Sequence, residues 1–156
     1  MRQAECGFAG QPDALVRFGP TLRVRIGFDP DYRIGGNPNL PQTEYHALVD
    51  TGAGESCIDS SIAAAVGLPS IDRVQVSGVH GAGEVNVHLA QMFIPILDLA
   101  VSGRFAGVHL HAGGQPHGAL IGRALLRHVT MLYNGITGSV SIALPGPPRP
   151  QVPAST

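Results

Sequence analysis

A chain of 156 residues fits one domain and is too short for most two-lobed enzymes. With 21 Gly and 13 Pro it is rich in turn formers, yet 44% of its residues are hydrophobic, which is enough for a core and excludes disorder along the whole chain. The formal net charge of -1 provides no basic field for a phosphate backbone, so we expect no nucleic-acid partner.

Cys6 and Cys57 are too few for a disulfide framework and match no metal motif, so we expect two reduced thiols. Residues 1–10 lack the apolar stretch of a signal peptide. The richest apolar run, residues 92–101, is too short to cross a bilayer, so we expect no membrane partner. A cytoplasmic location is the simplest expectation.

In chain order, residues 1–20 show no clear period and predict an N-terminal arm or a first irregular strand. Residues 21–144 predict the folded domain, and the proline-rich residues 145–156 predict a flexible tail. The domain opens with a period of two, typical of a half-buried strand, in which the inward positions are Leu22, Val24, Ile26 and Phe28.

Residues 29–41 then predict a loop, and short strands with frequent turns continue to the end of the domain. Asn134-Gly135 is a strong hairpin-turn signal, and glycines mark the tip of an earlier hairpin. The predicted strands are 45–49, 74–76 paired with 85–89, 92–97, 105–110, and 131–133 paired with 140–144.

Helix signals are sparse. Asp59 or Ser60 can cap a short helix through Val66, and residues 123–129 can form another after Gly122. The pattern therefore predicts a mainly β fold, a closed or folded-over barrel with one or two short helices, rather than a parallel α/β sheet.

The sharpest local feature lies in residues 47–53, Ala-Leu-Val-Asp-Thr-Gly-Ala, where an apolar strand delivers Asp50 into a tight turn. Apolar flanks raise the pKa of a carboxyl group, whereas turn amides lower it, and the sequence leaves both open. An Asx-type turn at a strand end is the structural alternative to a functional carboxylate.

About seventy residues downstream a second apolar strand, containing Leu120 and Ile121, ends in Gly122-Arg123 and enters a short helix. With the Asp-Thr-Gly turn and the intervening glycine-tipped hairpin, this order resembles the retropepsin-like aspartic proteases, the single-lobed relatives of pepsin. The resemblance covers roughly residues 20–144. It implies a single-lobe β-barrel in which the hairpin is a flap.

The resemblance also implies a role for each matching residue. Asp50 is the catalytic carboxylate, and Thr51 and Gly52 form the turn that fixes it. The structural support comes from Glu55, Gly122 and Arg123. The implied substrate-binding residues are those of the turn, the flap tip and the second strand: Ala53, Gly54, Val79, His80, Gly81, Ala82, Gly83, Leu120 and Ile121.

Two positions depart from the retroviral pattern. Gly54 occupies the place of a second Asp that pairs with the later arginine, so Glu55 becomes the candidate partner of Arg123. The family's dimers are commonly joined by strands from both chain ends, but this C-terminus is proline-rich. The dimer interface is therefore expected to use Ser139–Leu144, or to differ altogether.

A single Asp-Thr-Gly supplies half of a catalytic dyad, so the resemblance implies an aspartic endopeptidase that acts as a homodimer on polypeptides, without metal or cofactor. The alternative from another class is a catalytically weak dimerisation or peptide-binding module. A third hypothesis is zinc hydrolysis, with His109 and His111 alternating on one strand and His117 nearby. Its structural alternative is three surface histidines.

Overall fold

The computed structural model describes residues 2–78, 81–146 and 151–153. The strands in these ranges are β1 (Arg2–Glu5), β2 (Thr21–Gly27), β3 (Glu44–Val49), β4 (Cys57–Asp59), β5 (Ser70–Gly78), β6 (Gly81–Ile94), β7 (Leu99–Val108), β8 (Ala119–Ile121), β9 (Thr130–Asn134), β10 (Ser139–Leu144) and β11 (Gln151–Pro153). The helices are α1 (Pro12–Phe18), α2 (Ser60–Ala65) and α3 (Arg123–Leu126), with a 3₁₀ turn at Pro95–Leu97. The mainly β fold class is confirmed.

Six strands form a closed hydrogen-bonded ring. Their order is β7-β4-β8-β3-β2-β6, and β6 pairs again with β7 from Val87↔Ala106 to Ile94↔Leu99. Closure leaves no free edge within the ring. Strands β5 and β11 attach outside it, to β6 and β7 respectively. A second, three-stranded sheet has the order β1-β10-β9.

One hydrophobic core joins the ring and the second sheet. In β2 the alternate residues Leu22, Val24 and Ile26 are buried, as the period of two predicts, but Phe28 lies beyond the end of the strand and is 36% exposed. In β10 the same alternation buries Val140 and Ile142, which belong to the same core cluster. Burial of these apolar faces on both sheets is the main stabilising contribution.

Both chain ends contain more regular structure than predicted. Residues 1–20 hold the strand β1, which agrees with the strand alternative and pairs antiparallel with β10, and the helix α1, which was not predicted. In the predicted tail, β11 pairs in parallel with β7. Proline is tolerated in such an edge strand, where only part of the amides is used. Residues 147–150 and 154–156 lie outside the described residues.

Several predicted boundaries also shift. The strand expected at 92–97 is the end of the long β6, which stops where Pro95 opens the 3₁₀ turn. The strand expected at 105–110 is β7, which ends at Val108, so His109 and His111 are in a turn rather than on a strand. The helix expected at 123–129 ends at Leu126.

The strand Ser139–Leu144, which was predicted to form the dimer interface, already has a hydrogen-bonded partner strand on each side. It is β10, the central strand of its sheet, and it pairs with β1 on one side and β9 on the other. Both backbone edges are used within the chain, so β10 has no free edge for pairing with a second copy.

Among the described residues, no helix is long and apolar enough to cross a membrane.

The end of β6 offers a matched test of core packing. Ile94 is fully buried, whereas Ile96, two residues later, is 58% exposed. We expect Ile94→Ala to lower the free energy of unfolding by about 2–5 kcal/mol through lost burial and a cavity. We expect Ile96→Ala to change it by less than about 1 kcal/mol. Urea denaturation measures both, and equal losses would contradict this placement of the core.

Candidate active site

The carboxyl ends of two parallel strands meet at the candidate site. Strands β3 and β8 pair in register from Ala47↔Ala119 to Val49↔Ile121. The pairing continues by one bond, since the Asp50 amide donates to the Ile121 carbonyl at 2.9 Å. Asp50 therefore lies next to the end of β8, where Gly122 begins the turn into α3.

The Asp50 turn holds its own carboxylate. The Gly52 amide donates to Asp50 Oδ1 at 2.8 Å, and the Ala53 amide donates to the Asp50 carbonyl at 3.2 Å. A Cβ on Gly52 would lie 3.1 Å from Asp50 Oδ1, so glycine gives the carboxylate room. Asp50 is half-buried, and Thr51 and Gly52 are exposed. The turn thus presents an oriented carboxylate to solvent.

The loop of residues 50–56 wraps around the end of β8, because β4 returns on the other side of β8 from β3. Gly122 fits this crossing: a Cβ there would lie 2.6 Å from both the carbonyl carbon and the oxygen of Glu55. Its amide donates to the buried Ser56 Oγ at 3.0 Å. Sequence reasoning missed Ser56, and its only signal was a small polar residue directly before an apolar strand.

The same loop caps the N-terminus of helix α3. Its first amides, those of Arg123 and Ala124, donate to the carbonyls of Ala53 and Gly54, each at 2.9 Å. Two of the amides that a helix start leaves without partners are therefore satisfied by the Asp50 loop. These two bonds fix helix and loop to each other through backbone groups.

The proposed partnership of Glu55 with Arg123 is a wrong prediction. Arg123 Nη1 instead donates to the Thr51 carbonyl at 2.7 Å, and the ion pairs among the described residues do not include Glu55. Glu55 is exposed. A Cβ on Gly54 would lie 3.7 Å from Arg123 Nη2, so position 54 faces the guanidinium.

The other residues predicted to bind substrate lie in β8 and in the predicted flap. Ile121 is fully buried in the core, which corrects its assignment as a substrate-binding residue, whereas Leu120 points to the opposite face and is half-buried. In the predicted flap, β5 and β6 pair from Ser70↔His88 to Gly78↔Gly81, and residues 81–83 are exposed. Val79 and His80 lie outside the described residues.

Cys57 lies close to the turn but is no nucleophile. Burial raises the pKa of its thiol to about 12. The hydrogen bond at the Leu120 backbone lowers this pKa, whereas the negative charges of Asp50 and Asp59 raise it. The thiol is therefore protonated at neutral pH, and only the thiolate is a strong nucleophile.

The three candidate zinc histidines do not converge. His109 Nδ1 lies 2.7 Å from Ser60 Oγ, and His111 Nδ1 lies 3.4 Å from Asp59 Oδ2. His117 is buried before β8, at the end of this strand that lies away from Asp50. Within the described part of the chain no three His, Cys, Asp or Glu side chains are placed to hold a metal ion.

Asp59 is a buried carboxylate, which sequence reasoning saw only as a helix cap. It accepts bonds from the amides of Ser61, Leu110 and His111 at 2.9–3.1 Å, and from the Ser61 hydroxyl. Burial raises its pKa, but these hydrogen bonds and the nearby His111 outweigh burial, so the pKa of Asp59 lies below its ordinary value. Asp59 thus ties the end of β4 and α2 to the turn after β7.

A closed β-barrel that presents Asp-Thr-Gly at the end of paired strands is the architecture of a single-lobed aspartic protease. A family model described as aspartyl protease matches residues 31–123, more than half of the chain, and includes Asp50, Gly122 and Arg123. The chain belongs to the aspartyl protease family. No match was found among the curated proteins or the solved structures.

The close crossing at Gly122 predicts that alanine destabilises the fold more at position 122 than at position 54. Gly122→Ala places a methyl group 2.6 Å from the Glu55 backbone, so we expect a loss of about 1–3 kcal/mol in unfolding free energy from overpacking. Gly54→Ala is the control, because its nearest neighbour is the arginine side chain at 3.7 Å. Chemical denaturation measures both, and a Gly122→Ala protein as stable as Gly54→Ala would contradict the crossing.

The Asp59 site predicts a pH dependence of stability. Because its pKa is lower in the folded chain than the unfolded value near 3.9, the carboxylate stabilises the fold above about pH 4. This contribution is lost as the pH falls through the folded pKa. We expect Asp59→Asn to be less stable at pH 7 by about 1–3 kcal/mol, with the gap closing in acid.

Unfolding by urea at pH values from 7 to about 2 measures this gap. The exposed Asp31→Asn is the control and is expected to follow the unmodified chain at every pH. A gap that stays constant down to the lowest pH would contradict an ionised, hydrogen-bonded Asp59.

Proposed function

We propose that this chain is an aspartic endopeptidase that is active as a homodimer, with one Asp50 from each copy forming the catalytic dyad. The observation that carries the proposal is the Asp50 turn at the end of β3 and β8. Its Oδ1 is held by the Gly52 amide, and no other hydrogen bond to the carboxylate is made within the described residues. The second oxygen is left for water, substrate or a second carboxylate.

The need for a second copy follows from the sequence. No other aspartate in the chain is followed by Thr-Gly or Ser-Gly. The second carboxylate of the proposed dyad is therefore assigned to a second copy of the chain, because an isologous two-fold contact places like residues together. The exposed Thr51 lies next to Asp50 and is the residue proposed to contact its counterpart across the axis.

The proposed mechanism rests on charge repulsion. Two carboxylates about 3 Å apart do not both ionise freely, so the dyad holds one shared proton and titrates as a unit. The ionised carboxylate removes a proton from water, and the resulting oxygen attacks the carbonyl carbon of the peptide bond. The protonated carboxyl donates to the carbonyl oxygen. The amine then leaves with a proton from the dyad as the C–N bond breaks.

The hairpin of β5 and β6 supports an extended polypeptide substrate. The exposed start of β6, residues 81–83, carries two glycines, which allow close approach of another backbone. A strand bound through main-chain hydrogen bonds leaves side-chain pockets to set the cleavage preference. Closure of such a hairpin over the dyad excludes water from the reaction.

Cleavage of casein at mildly acidic pH tests the chemistry. We expect Asp50→Asn to lower the rate at least about 100-fold, because the amide is neither a base nor an acid. The control is Asp98→Asn, an exposed aspartate in the turn before β7, which is expected to retain activity. Persistent cleavage by Asp50→Asn would contradict the assignment.

Mixing the two forms tests the homodimer. A nine-fold excess of Asp50→Asn over unmodified chain, after subunit exchange, is expected to lower activity about tenfold, because most active chains then pair with an inactive one. The same excess of Asp98→Asn is expected to add activity. If Asp50→Asn does not inhibit, each chain acts alone. If no preparation cleaves casein but the chain dimerises and holds peptides, the binding-module alternative replaces the protease.

A further inference from the structure

Strand β9 presents a free backbone edge. In the sheet β1-β10-β9 it pairs with β10 on one side, and on its other side no strand of the described residues pairs with it. Proteins usually protect such an edge with charged residues, prolines or bulges, because an open edge pairs with another chain. Residues 129–144 contain no charged residue and no proline, and the register of β9 with β10 is unbroken. This edge is therefore open to a partner strand.

The hydrogen bonds of β10 show which backbone groups of β9 face the free edge. The Val140 carbonyl accepts from the first amide after β1 at 2.8 Å, so the backbone groups of Val140 face β1. In an antiparallel sheet the next residue, Ser141, therefore faces β9 and bonds to its register partner Leu132. Met131 and Tyr133, the neighbours of Leu132, consequently direct their N–H and C=O groups outward.

The side chains at this edge are apolar and exposed. Leu132 is 70% exposed, Tyr133 is exposed, and Ile136 in the turn after β9 is 90% exposed. Leu132 lies on the opposite face of the strand from Met131, which packs against the core. An exposed apolar patch that continues into an open strand edge marks an interaction surface.

The charge pattern of β9 favours a second copy of this chain as the partner. An isologous two-fold contact brings identical segments together, so any charge on the strand would face a like charge near the axis. β9 carries no charge, and neither does the turn that follows it. The nearest cation in the chain is Arg127, five residues before Leu132, and an antiparallel pair centred on Leu132 sets it opposite Thr137. Self-pairing is therefore free of like-charge repulsion.

We propose that β9 pairs antiparallel with β9 of a second copy, with the two-fold axis at Leu132. Met131 then lies opposite Tyr133 of the other copy, and their outward groups form four hydrogen bonds across the axis. The two Leu132 side chains meet in a non-hydrogen-bonded pair, in which the Cα atoms are about 4.5 Å apart. A register centred on Met131 would need the Val129 amide, which already donates to the Leu126 carbonyl. This inference rests on the proposed homodimer, for which it names the interface.

The free edge lies close to the catalytic loop along the chain. Helix α3 begins on the carbonyls of that loop, and β9 begins at Thr130, eight residues after Gly122. The amides of residues 127–129 bond to carbonyls three or four residues earlier, so the connecting segment is helical and short. At about 1.5 Å per helical residue, β9 begins within about 17 Å of Gly122. Pairing through β9 therefore joins two copies next to their Asp50 loops, as a shared dyad requires.

Sedimentation velocity tests the interface through a charge swap at position 132. Leu132→Glu sets two carboxylates against each other on the axis and is expected to raise the dimer Kd at least about tenfold at pH 7. Leu132→Lys is expected to do the same. An equal mixture of the two variants is expected to recover the dimer, because Glu then faces Lys. The control is Val16→Glu, at an exposed residue of α1, which is expected to dimerise like the unmodified chain.

Amide hydrogen exchange by NMR tests the same interface in the unmodified chain, and it carries the test if a Leu132 variant has an altered melting profile. The outward amides of Met131 and Tyr133 gain hydrogen-bond partners only by pairing across the axis. They are therefore expected to be protected at concentrations where sedimentation shows a dimer, and to lose protection on dilution to the monomer. The Leu132 amide bonds to β10 and is expected to be protected in both states.

The interface and the proposed peptidase can fail separately, because sedimentation does not measure cleavage. A dimer that dissociates in Leu132→Glu and re-forms in the mixture supports the interface even if casein is not cleaved. Cleavage of casein by a dimer that Leu132→Glu leaves intact keeps the peptidase and overturns the interface. Unprotected Met131 and Tyr133 amides in the dimer, or a mixture that stays monomeric, also overturn it. A chain that is monomeric at every concentration overturns both proposals.

Discussion

Backbone contact between Gly122 and Glu55 is the constraint on which the site depends. A side chain at position 122 would collide with the Glu55 carbonyl, so only glycine lets β8 pass between β3 and β4 at this point. The loop 50–56 closes around that crossing and is bonded to it through Ser56 and the first amides of α3. The orientation of Asp50 therefore results from a close approach of two backbones rather than from charge.

The closed ring gives this crossing a rigid frame. Because β6 pairs with both β2 and β7, the sheet has no open edge along which β3 and β8 can shift in register. Asp59 adds a polar anchor at the end of β4, where the chain passes into α2. Because its pKa is lowered, this anchor stays ionised at pH values where an ordinary aspartate is partly protonated.

Local patterns predicted the elements that depend on neighbours in sequence. The period of two found β2, the apolar run before Asp50 found β3, and paired valines found the β5–β6 hairpin. The misses were β4 and β11, short strands whose pairing partners lie far away in the sequence, and the helix α1, although Pro12 at its start and Gly19 at its end are local signals. Strand ends were misjudged where a proline or a turn interrupts an apolar run.

For the site, the sequence by itself determined the catalytic candidate, its turn and the glycine of the second strand, because these are set by residue type and spacing. Only the tertiary structure decided that Arg123 binds the Thr51 carbonyl, that Ile121 belongs to the core, and that His117 is buried. The physical reason is that burial and hydrogen-bond partners are set by segments far apart in the chain, which a local pattern does not contain.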